Sequence, residues 1–422
     1  MRQKLQPLII LFLLNVTIFC QNEWIIYKPN NSGLPITSIA ALAFDSAGNL
    51  WVGGSLGSLY KFYGGNWTNF SGFGIAGPAI AIAVDANNNI WTGSQSYGLT
   101  KFNGTTSTVY NTSNSGLPNN EVRTVAVDSK GKIWAGTSGG VAIFDGTNWT
   151  VYNTSNSNLP HNWIYAFAQD KDGVMWVGTA GGLAKSDGSG WQYYNASNSG
   201  LPNNYVLSIA IASNGDKWIG TLSGGLARFN NAGWTVFNEA NSGLPANRVN
   251  AIAIDKSNAL WVGTTAGGVA KYDGSTWIVF NESNSLLPYN AVYALALESN
   301  GNKWFGTYGG LAVYREGGVV SVEDNFTNNI PVHFNLEQNY PNPFNPSTII
   351  SYRIPKTSDV VLEVFNQLGQ KIAILVKEFK EAGTHQVEFN STLVQSNLGS
   401  GIYYYKLKAG NFTETKKMLL LK

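Results

Sequence analysis

The stretch Asp128-Ser129-Lys130-Gly131-Lys132-Ile133-Trp134-Ala135-Gly136 decides the fold, because versions of it return through the first three quarters of the chain at nearly constant spacing. Its tryptophan recurs at Trp51, Trp91, Trp134, Trp176, Trp218, Trp261 and Trp304, so the intervals are 40, 43, 42, 42, 43 and 43 residues. A glycine follows two residues after each of them, at Gly53, Gly93, Gly136, Gly178, Gly220, Gly263 and Gly306. A fixed period of this length, built of short strand-like runs, is what a β-propeller with one four-stranded blade per repeat produces. The seven markers predict seven blades.

Outward from the marker, each period reads as four strands. Eight residues upstream there is always an alanine (Ala43, Ala83, Ala126, Ala168, Ala210, Ala253, Ala296), with bulky apolar neighbours such as Leu42, Val125, Ile252 and Leu295. Side chains alternate across a strand, so this inner strand has one small and one large face. Three residues before the marker stands Gly or Asn (Gly48, Asn88, Gly131, Gly173, Gly215, Asn258, Gly301), the residues that tolerate positive φ in a tight hairpin. A Gly-rich turn (Gly139-Gly140, Gly181-Gly182, Gly224-Gly225, Gly267-Gly268, Gly309-Gly310) leads to a third strand, and an Asp-Gly turn leads to a fourth of the form Trp149-Thr150-Val151-Tyr152.

A Ser-Gly-Leu-Pro segment or a variant separates the periods and ends at Pro35, Pro118, Pro160, Pro202, Pro245 and Pro288. Proline gives no N–H to a ladder and punctuates the crossing between blades. The second period has Gly77-Pro78 instead and is three residues shorter than the usual spacing, which predicts a trimmed loop. The phase is also offset: the fourth-strand sequence Trp24-Ile25-Ile26-Tyr27 precedes the first inner strand, and the last period ends after Leu311-Ala312-Val313-Tyr314. The N-terminal strand is therefore expected to complete the seventh blade and close the ring. Val319 to Val322 is the alternative, but it lacks the repeat's tryptophan.

These residues resemble the two-component regulator propeller repeat over roughly residues 22 to 317. In that family the repeats form periplasmic sensor regions, often of hybrid histidine kinases that detect glycans. No spanning helix or kinase follows the repeats here, so the resemblance implies the fold and not the sensor role.

The period stops after a linker, residues 318–331, and residues 332–422 form a second module. The segment Asn335 to Thr348 is rich in proline and asparagine and opens a series of short alternating strands, from Ile349–Ile354 through Val360–Phe365, Lys371–Val376, His385–Phe389 and Gly401–Lys408 to Thr413–Leu421. Six or seven strands in so short a segment predict a small immunoglobulin-like β-sandwich. The block closely resembles the type A C-terminal sorting domain of the type IX secretion system of Bacteroidetes and related bacteria. The resemblance rests on Gln338-Asn339-Tyr340-Pro341-Asn342-Pro343-Phe344, on the Gly401 to Lys406 strand, and on the terminal run with Lys416, Lys417 and Lys422. It implies recognition by the outer-membrane translocon and its sorting peptidase, then attachment at the cell surface or release.

Residues 1–20 have a basic start (Arg2, Lys4), an apolar run around Leu8 to Leu14, and no charge up to Gln21, which reads as a cleaved secretory signal. The single cysteine, Cys20, ends it. A lipid-anchored Cys20 is the second reading, against which stands Phe19, where lipoprotein signals carry a small residue. Cleavage after Cys20 leaves a mature chain of residues 21–317 and beyond with no disulfide, held by packing and strand pairing. Charged residues make up 12% of the chain, against about 25% in an average soluble protein. The formal charge of +2 provides no basic field for nucleic acid or an anionic membrane.

No catalytic constellation is legible. Among the three histidines only His161 lies in the propeller, and it reads as a loop residue; Asp170-Lys171-Asp172-Gly173 reads as the hairpin present in each blade, without the distant glutamate of an EF-type loop. No metal and no cofactor are expected, and the chain is read as a non-enzyme. Two positions, thirteen and eleven residues before the marker, vary while the rest of the repeat does not: Glu121 and Arg123, Trp163 and Tyr165, Tyr205 and Leu207, Arg248 and Asn250, Ala291 and Tyr293. The period-two rule puts each pair on one strand face, at the ring end where propellers hold ligands. Aromatics mixed with Asn, Arg and Glu suit sugar rings, whose apolar faces stack while their hydroxyls take hydrogen bonds. A secreted or surface-held binding module is thus expected, with glycan favoured over a surface protein as ligand. The alternative is a polysaccharide-active enzyme of lyase type whose acid or base is not recognisable in the sequence.

Overall fold

The structure is a computed structural model of the 422-residue chain and describes residues 23–54, 59–70, 73–316, 334–339, 341–355, 357–380, 383–392, 394, 398–410 and 412–421. The expected signal segment 1–20, the linker 318–331, the alternative closing strand Val319–Val322, and Tyr340 and Lys422 of the sorting segment lie outside the described residues. The chain divides into two compact units, residues 1–325 and 326–422.

The first unit is a propeller of seven four-stranded antiparallel sheets. Blade 3 shows the plan: an inner strand Val122–Val127, then Ile133–Thr137, Gly140–Phe144 and an outer strand Trp149–Tyr152, each paired with the next. The inner strands neighbour one another in order around the ring, and that of blade 7 (Val292–Leu297) neighbours that of blade 1 (Ile39–Phe44).

The marker explains itself once the blades are stacked. Trp134 lies across the ladder from Ala126, and every other marker lies opposite its alanine, as with Trp51 and Ala43 or Trp304 and Ala296. A methyl group beside the indole leaves the ring free to lean on the outer strand of its own blade and the third strand of the next. Trp91 stacks on Tyr110 at 5.9 Å and meets Phe144 of blade 3, and Trp176 stacks on Tyr194 at 6.2 Å and meets Phe229 of blade 5. The glycine two residues later has no room for a side chain: a Cβ on Gly53 would lie 2.1 Å from the Ala79 carbonyl oxygen, and one on Gly136 would lie 2.7 Å from Ile164 Cγ2. These glycines admit the first apolar residue of the following inner strand, and Ile39, Val122, Ile164, Val206, Val249 and Val292 are all 0% exposed. Each such burial stabilises the ring by about 1.5–3 kcal/mol.

The hairpin glycines adopt the expected conformation. Gly48, Gly131, Gly173, Gly215 and Gly301 have positive φ, and Asn88 and Asn258 at the same place are the non-glycine residues that do so among the described residues. Closure also follows the phase of the sequence. Trp24–Tyr27 pairs with Gly310–Tyr314 as the outer strand of blade 7, and Tyr27 stacks on Trp304 at 5.8 Å with 6° between planes. Tyr27 and Trp304 both reach Phe62 of blade 1, which repeats the seam found between the other blades.

The second unit has a three-stranded sheet (Asn335–Leu336, Ser347–Ile354, Gly383–Asn390) and a four-stranded one (Lys371–Lys380, Ser358–Phe365, Gly401–Ala409, Phe412–Leu420). Their inner faces share one core containing the buried Phe344, Tyr352, Phe389 and Tyr405. This is the sandwich predicted from strand spacing.

Candidate functional site

The second-strand Thr at three residues after the marker fixes the loops of the inner-strand end. Thr137 is fully buried, donates through Oγ1 to the Gly140 carbonyl at 2.8 Å and accepts from the Gly139 N–H at 2.9 Å. Thr179, Thr221, Thr264 and Thr307 do the same in blades 4 to 7. The residue after each turn threonine then donates its backbone N–H to the carbonyl of the residue thirteen before the marker: Ser138 to Glu121, Ala180 to Trp163, Leu222 to Tyr205, Thr265 to Arg248 and Tyr308 to Ala291. The turn and the entry of the inner strand are thus one rigid shelf.

Strict alternation is not what orients the candidate residues. Glu121, Trp163, Tyr205, Arg248 and Ala291 precede their strands, which begin at Val122, Ile164, Val206, Val249 and Val292. Within the strands the ladder skips one residue, between Val122 and Thr124, Ile164 and Ala166, Val206 and Ser208, Val249 and Ala251, and Val292 and Ala294. Arg123, Tyr165, Leu207, Asn250 and Tyr293 are therefore the unpaired residues of β-bulges, a feature that re-aims side chains at sheet ends. The period-two rule fails here because a bulge adds a residue to one strand without a partner on the other.

Two of the bulge side chains, Arg123 and Asn250, reach the next blade. The Arg123 guanidinium lies 5.4 Å from the ring centre of Trp163 and 5.1 Å from that of Tyr165, both of blade 4. It pairs with Glu121 at 2.6 Å, and Ser138 Oγ donates to the Glu121 carboxylate and accepts from Arg123 Nε at 3.4 Å. Asn250 behaves differently: its Nδ2 donates to the Val292 carbonyl of blade 7 and to Thr265 Oγ1, each at 3.0 Å, and its Oδ1 accepts from Arg248 Nε at 3.2 Å. Asn250 is a strut between blades more than an open contact. Burial raises the Tyr165 hydroxyl above the usual tyrosine range, with Arg123 and Arg248 opposing and Tyr205 and Glu121 adding to the shift. Trp163, Tyr205 and Tyr293 are exposed aromatics at this end.

His161 serves its own loop. Its Nδ1 accepts the Trp163 backbone N–H at 2.9 Å, the role that the side-chain oxygens of Asn119 and Asn203 play for Glu121 and Tyr205 at 2.7 and 3.0 Å. Sequence reading missed two aromatics here: Tyr289 and Tyr308, both exposed, lie 5.4 Å apart ring to ring at the blade 7 end of the shelf. They occupy the positions of His161 and Ala180 in blade 4, so counting from the marker could have found them.

A concave feature lies elsewhere, at the hairpin end between blades 4 and 5. It is a groove of about 650 Å³ lined by Asp170 to Asp172, Ser213 to Lys217 and Asn230 to Ala232. Two of its acids are engaged: Asp170 accepts the Asp172 and Val174 N–H groups and the Trp176 indole N–H, and Asp216 pairs with Arg228 at 2.7 Å. The groove has no aromatic wall, whereas the inner-strand end has aromatic faces beside charged groups. The inner-strand end is accordingly the candidate site. Asp170 in this role is the hairpin clamp found also at Asp45, Asp85, Asp128 and Asp255, each accepting the indole N–H of its marker.

In the second unit the two halves of the expected sorting segment meet. Gln338 Nε2 donates to the Lys417 carbonyl at 2.7 Å, and Asn342 Oδ1 accepts the Leu419 N–H at 2.9 Å. Phe344 exchanges backbone bonds with Leu419 and Leu421 at 2.9 and 3.0 Å. Asn339, 2% exposed, donates its N–H to the Tyr405 hydroxyl and its side chain to Thr348 and the Pro341 carbonyl. Pro343 lies between Asn342 and Phe344 on this loop, while Lys416 pairs with Glu414 at 3.5 Å on the terminal strand.

Comparison with known proteins agrees with both units. Residues 33–55, 116–139, 158–181 and 243–266 match the two component regulator propeller family, and residues 338–421 match the secretion system C-terminal sorting domain. No curated protein matches the chain. Among solved structures, the extracellular domain of the hybrid two component system BT3049 of B. thetaiotaomicron is similar at 20% identity and a TM-score of 0.62, over 94% of this chain and 57% of that one. PorZ, a surface component of the type IX secretion system of Porphyromonas gingivalis, is similar at 19% identity and a TM-score of 0.58, over 92% and 60%. Virginiamycin B lyase of Staphylococcus aureus is similar at 13% identity and a TM-score of 0.55, over 66% and 94%. The chain thus spans less than two thirds of the length of the first two, and at these identities the likeness is one of fold. The sorting domain marks the chain for export through the type IX secretion system, to the medium or the outer cell surface.

Proposed function

We propose that the propeller is a non-enzymatic binding module that presents its inner-strand end to a glycan outside the cell. The observation that carries this reading is the placement of Trp163 and Tyr165 against the Arg123 guanidinium, itself paired with Glu121, with Tyr205 and Arg248 exposed at the corresponding positions of the next two blades. Exposed aromatic faces give a sugar ring its apolar contact, and fixed polar groups beside them give orientation. Binding without turnover is supported by where the candidate acid and base stand: Glu121 is neutralised by Arg123, and His161 Nδ1 is occupied by its own loop. Export begins at the secretory signal in residues 1–20, and the translocon and its sorting peptidase act on the folded tail.

The test is a glycan array probed with the full mature chain, with mass spectrometry of the recovered glycans from the same wells. Saturable binding with every glycan recovered intact is the expected result. Shortened or unsaturated products would establish an enzyme in place of a binding module, and capture of a surface protein with no glycan bound would move the ligand class.

A further inference from the structure

The charges at the inner-strand end do not cancel. Glu121 and Arg123 neutralise one another at 2.6 Å, and Asn250 is committed to Thr265 and the Val292 carbonyl. Arg248 is exposed, and its one side-chain bond among the described residues is the 3.2 Å contact from Nε to Asn250 Oδ1. Glu239, on the loop that enters the same blade, accepts the Asn247 backbone N–H at 2.8 Å and forms no ion pair with it. Asn250 is itself tied to two blades, so its hold on Nε fixes the plane of the guanidinium and leaves the terminal nitrogens to solvent. Arg248 immediately precedes the inner strand Val249–Ile254, at the same end of its blade as Glu121 and Trp163 are of theirs. A fixed guanidinium with paired N–H groups free is the geometry that receives two oxygens of one anionic group.

We propose that this end of the ring selects glycans carrying an anionic group, a uronate carboxylate or a sulfate ester, and that Arg248 receives it. The proposal rests on the glycan reading above. Trp163 and Tyr205 hold the sugar ring whatever its charge; Arg248 distinguishes acidic from neutral chains. Arg123 is withheld from the ligand by Glu121.

The test measures binding of the full mature chain to two matched pairs at low salt: oligogalacturonate with its methyl ester, and dextran sulfate with dextran. The expected result is at least about tenfold tighter binding to one or both acidic members. Arg248→Gln is expected to erase that preference, and Glu121→Gln, which frees Arg123, to enlarge it. The pair that shows the preference identifies carboxylate or sulfate as the group. Equal binding within both pairs, or a preference that survives Arg248→Gln, overturns the proposal and leaves glycan binding intact. No binding to any of the four probes overturns this inference, and the array result decides separately whether the glycan reading falls with it.

Discussion

Trp163 and Tyr205 are 41% and 38% exposed, and their backbone groups are held by the loop; the Trp163 ring also touches Arg123 and His161. Trp163→Ala and Tyr205→Ala are each expected to weaken glycan binding by about 2 kcal/mol while circular dichroism stays unchanged, with a small fall in the thermal midpoint for Trp163→Ala only. Asn250→Ala has the opposite profile: it strips a hydrogen-bonded strut between blades and should lower stability by about 1–3 kcal/mol, read from the denaturant midpoint. Tyrosine ionisation gives a pH signature. Burial pushes the Tyr314 hydroxyl up to about 12 and that of Tyr27 higher still, whereas unfolded tyrosines titrate near about 10. Above that point the unfolded chain releases protons that the folded ring retains. Stability must therefore fall as pH rises between roughly 10 and 12, by at most about 1.4 kcal/mol per pH unit for each tyrosine. Denaturant midpoints flat from about pH 7 to 9 and falling above about 10 are the expected result.

At the level of the hairpin, the glycines of one blade separate into two kinds. Gly131 has φ +80 with open space around its Cβ direction, and Asn88 and Asn258 already stand at that place in other blades. Gly131→Asn should cost less than about 1 kcal/mol, and Gly131→Val about 1–2 kcal/mol. Gly136→Ala puts a methyl 2.5 Å from Thr124 and 2.7 Å from Ile164, and should cost about 1–3 kcal/mol through the neighbouring blade, as read in urea melts. The clamp acids were legible in the sequence as part of the repeat, but their bond to the indole was not, because the five intervening residues fold back only when the hairpin forms. The bulges at Arg123, Tyr165 and Asn250 were also invisible. Nothing in a single strand's residues announces an unpaired position; it exists only against the partner strand.

For the whole ring, the N-terminal strand is the closure. Deleting Trp24–Tyr27 bares the Gly310–Tyr314 edge and removes the stack on Trp304, so the truncated chain should unfold less cooperatively and self-associate, seen by calorimetry and light scattering. The sorting unit is closed in a similar way by its last strand. Removing residues 418–422 strips the backbone partners of Asn342 and Phe344, and the protein is expected to accumulate in the periplasm, as fractionation would reveal.

The sequence alone determined the number of blades, the strand order within them, the positive-φ turns and the phase of closure, because each of these depends on local periodicity and on residues whose backbone limits are intrinsic. It also located the sorting unit, through a motif carried by contiguous residues. The tertiary structure decided what surrounds each candidate residue: Arg123 is neutralised, Asn250 is a strut, Arg248 is left open, and Tyr289 meets Tyr308. It likewise joined Gln338–Phe344 to the terminal strand. Those relations bring together residues of different blades or distant strands, and hydrogen bonds and contact ion pairs form only within about 4 Å, so only the assembled ring and sandwich fix which side chains meet.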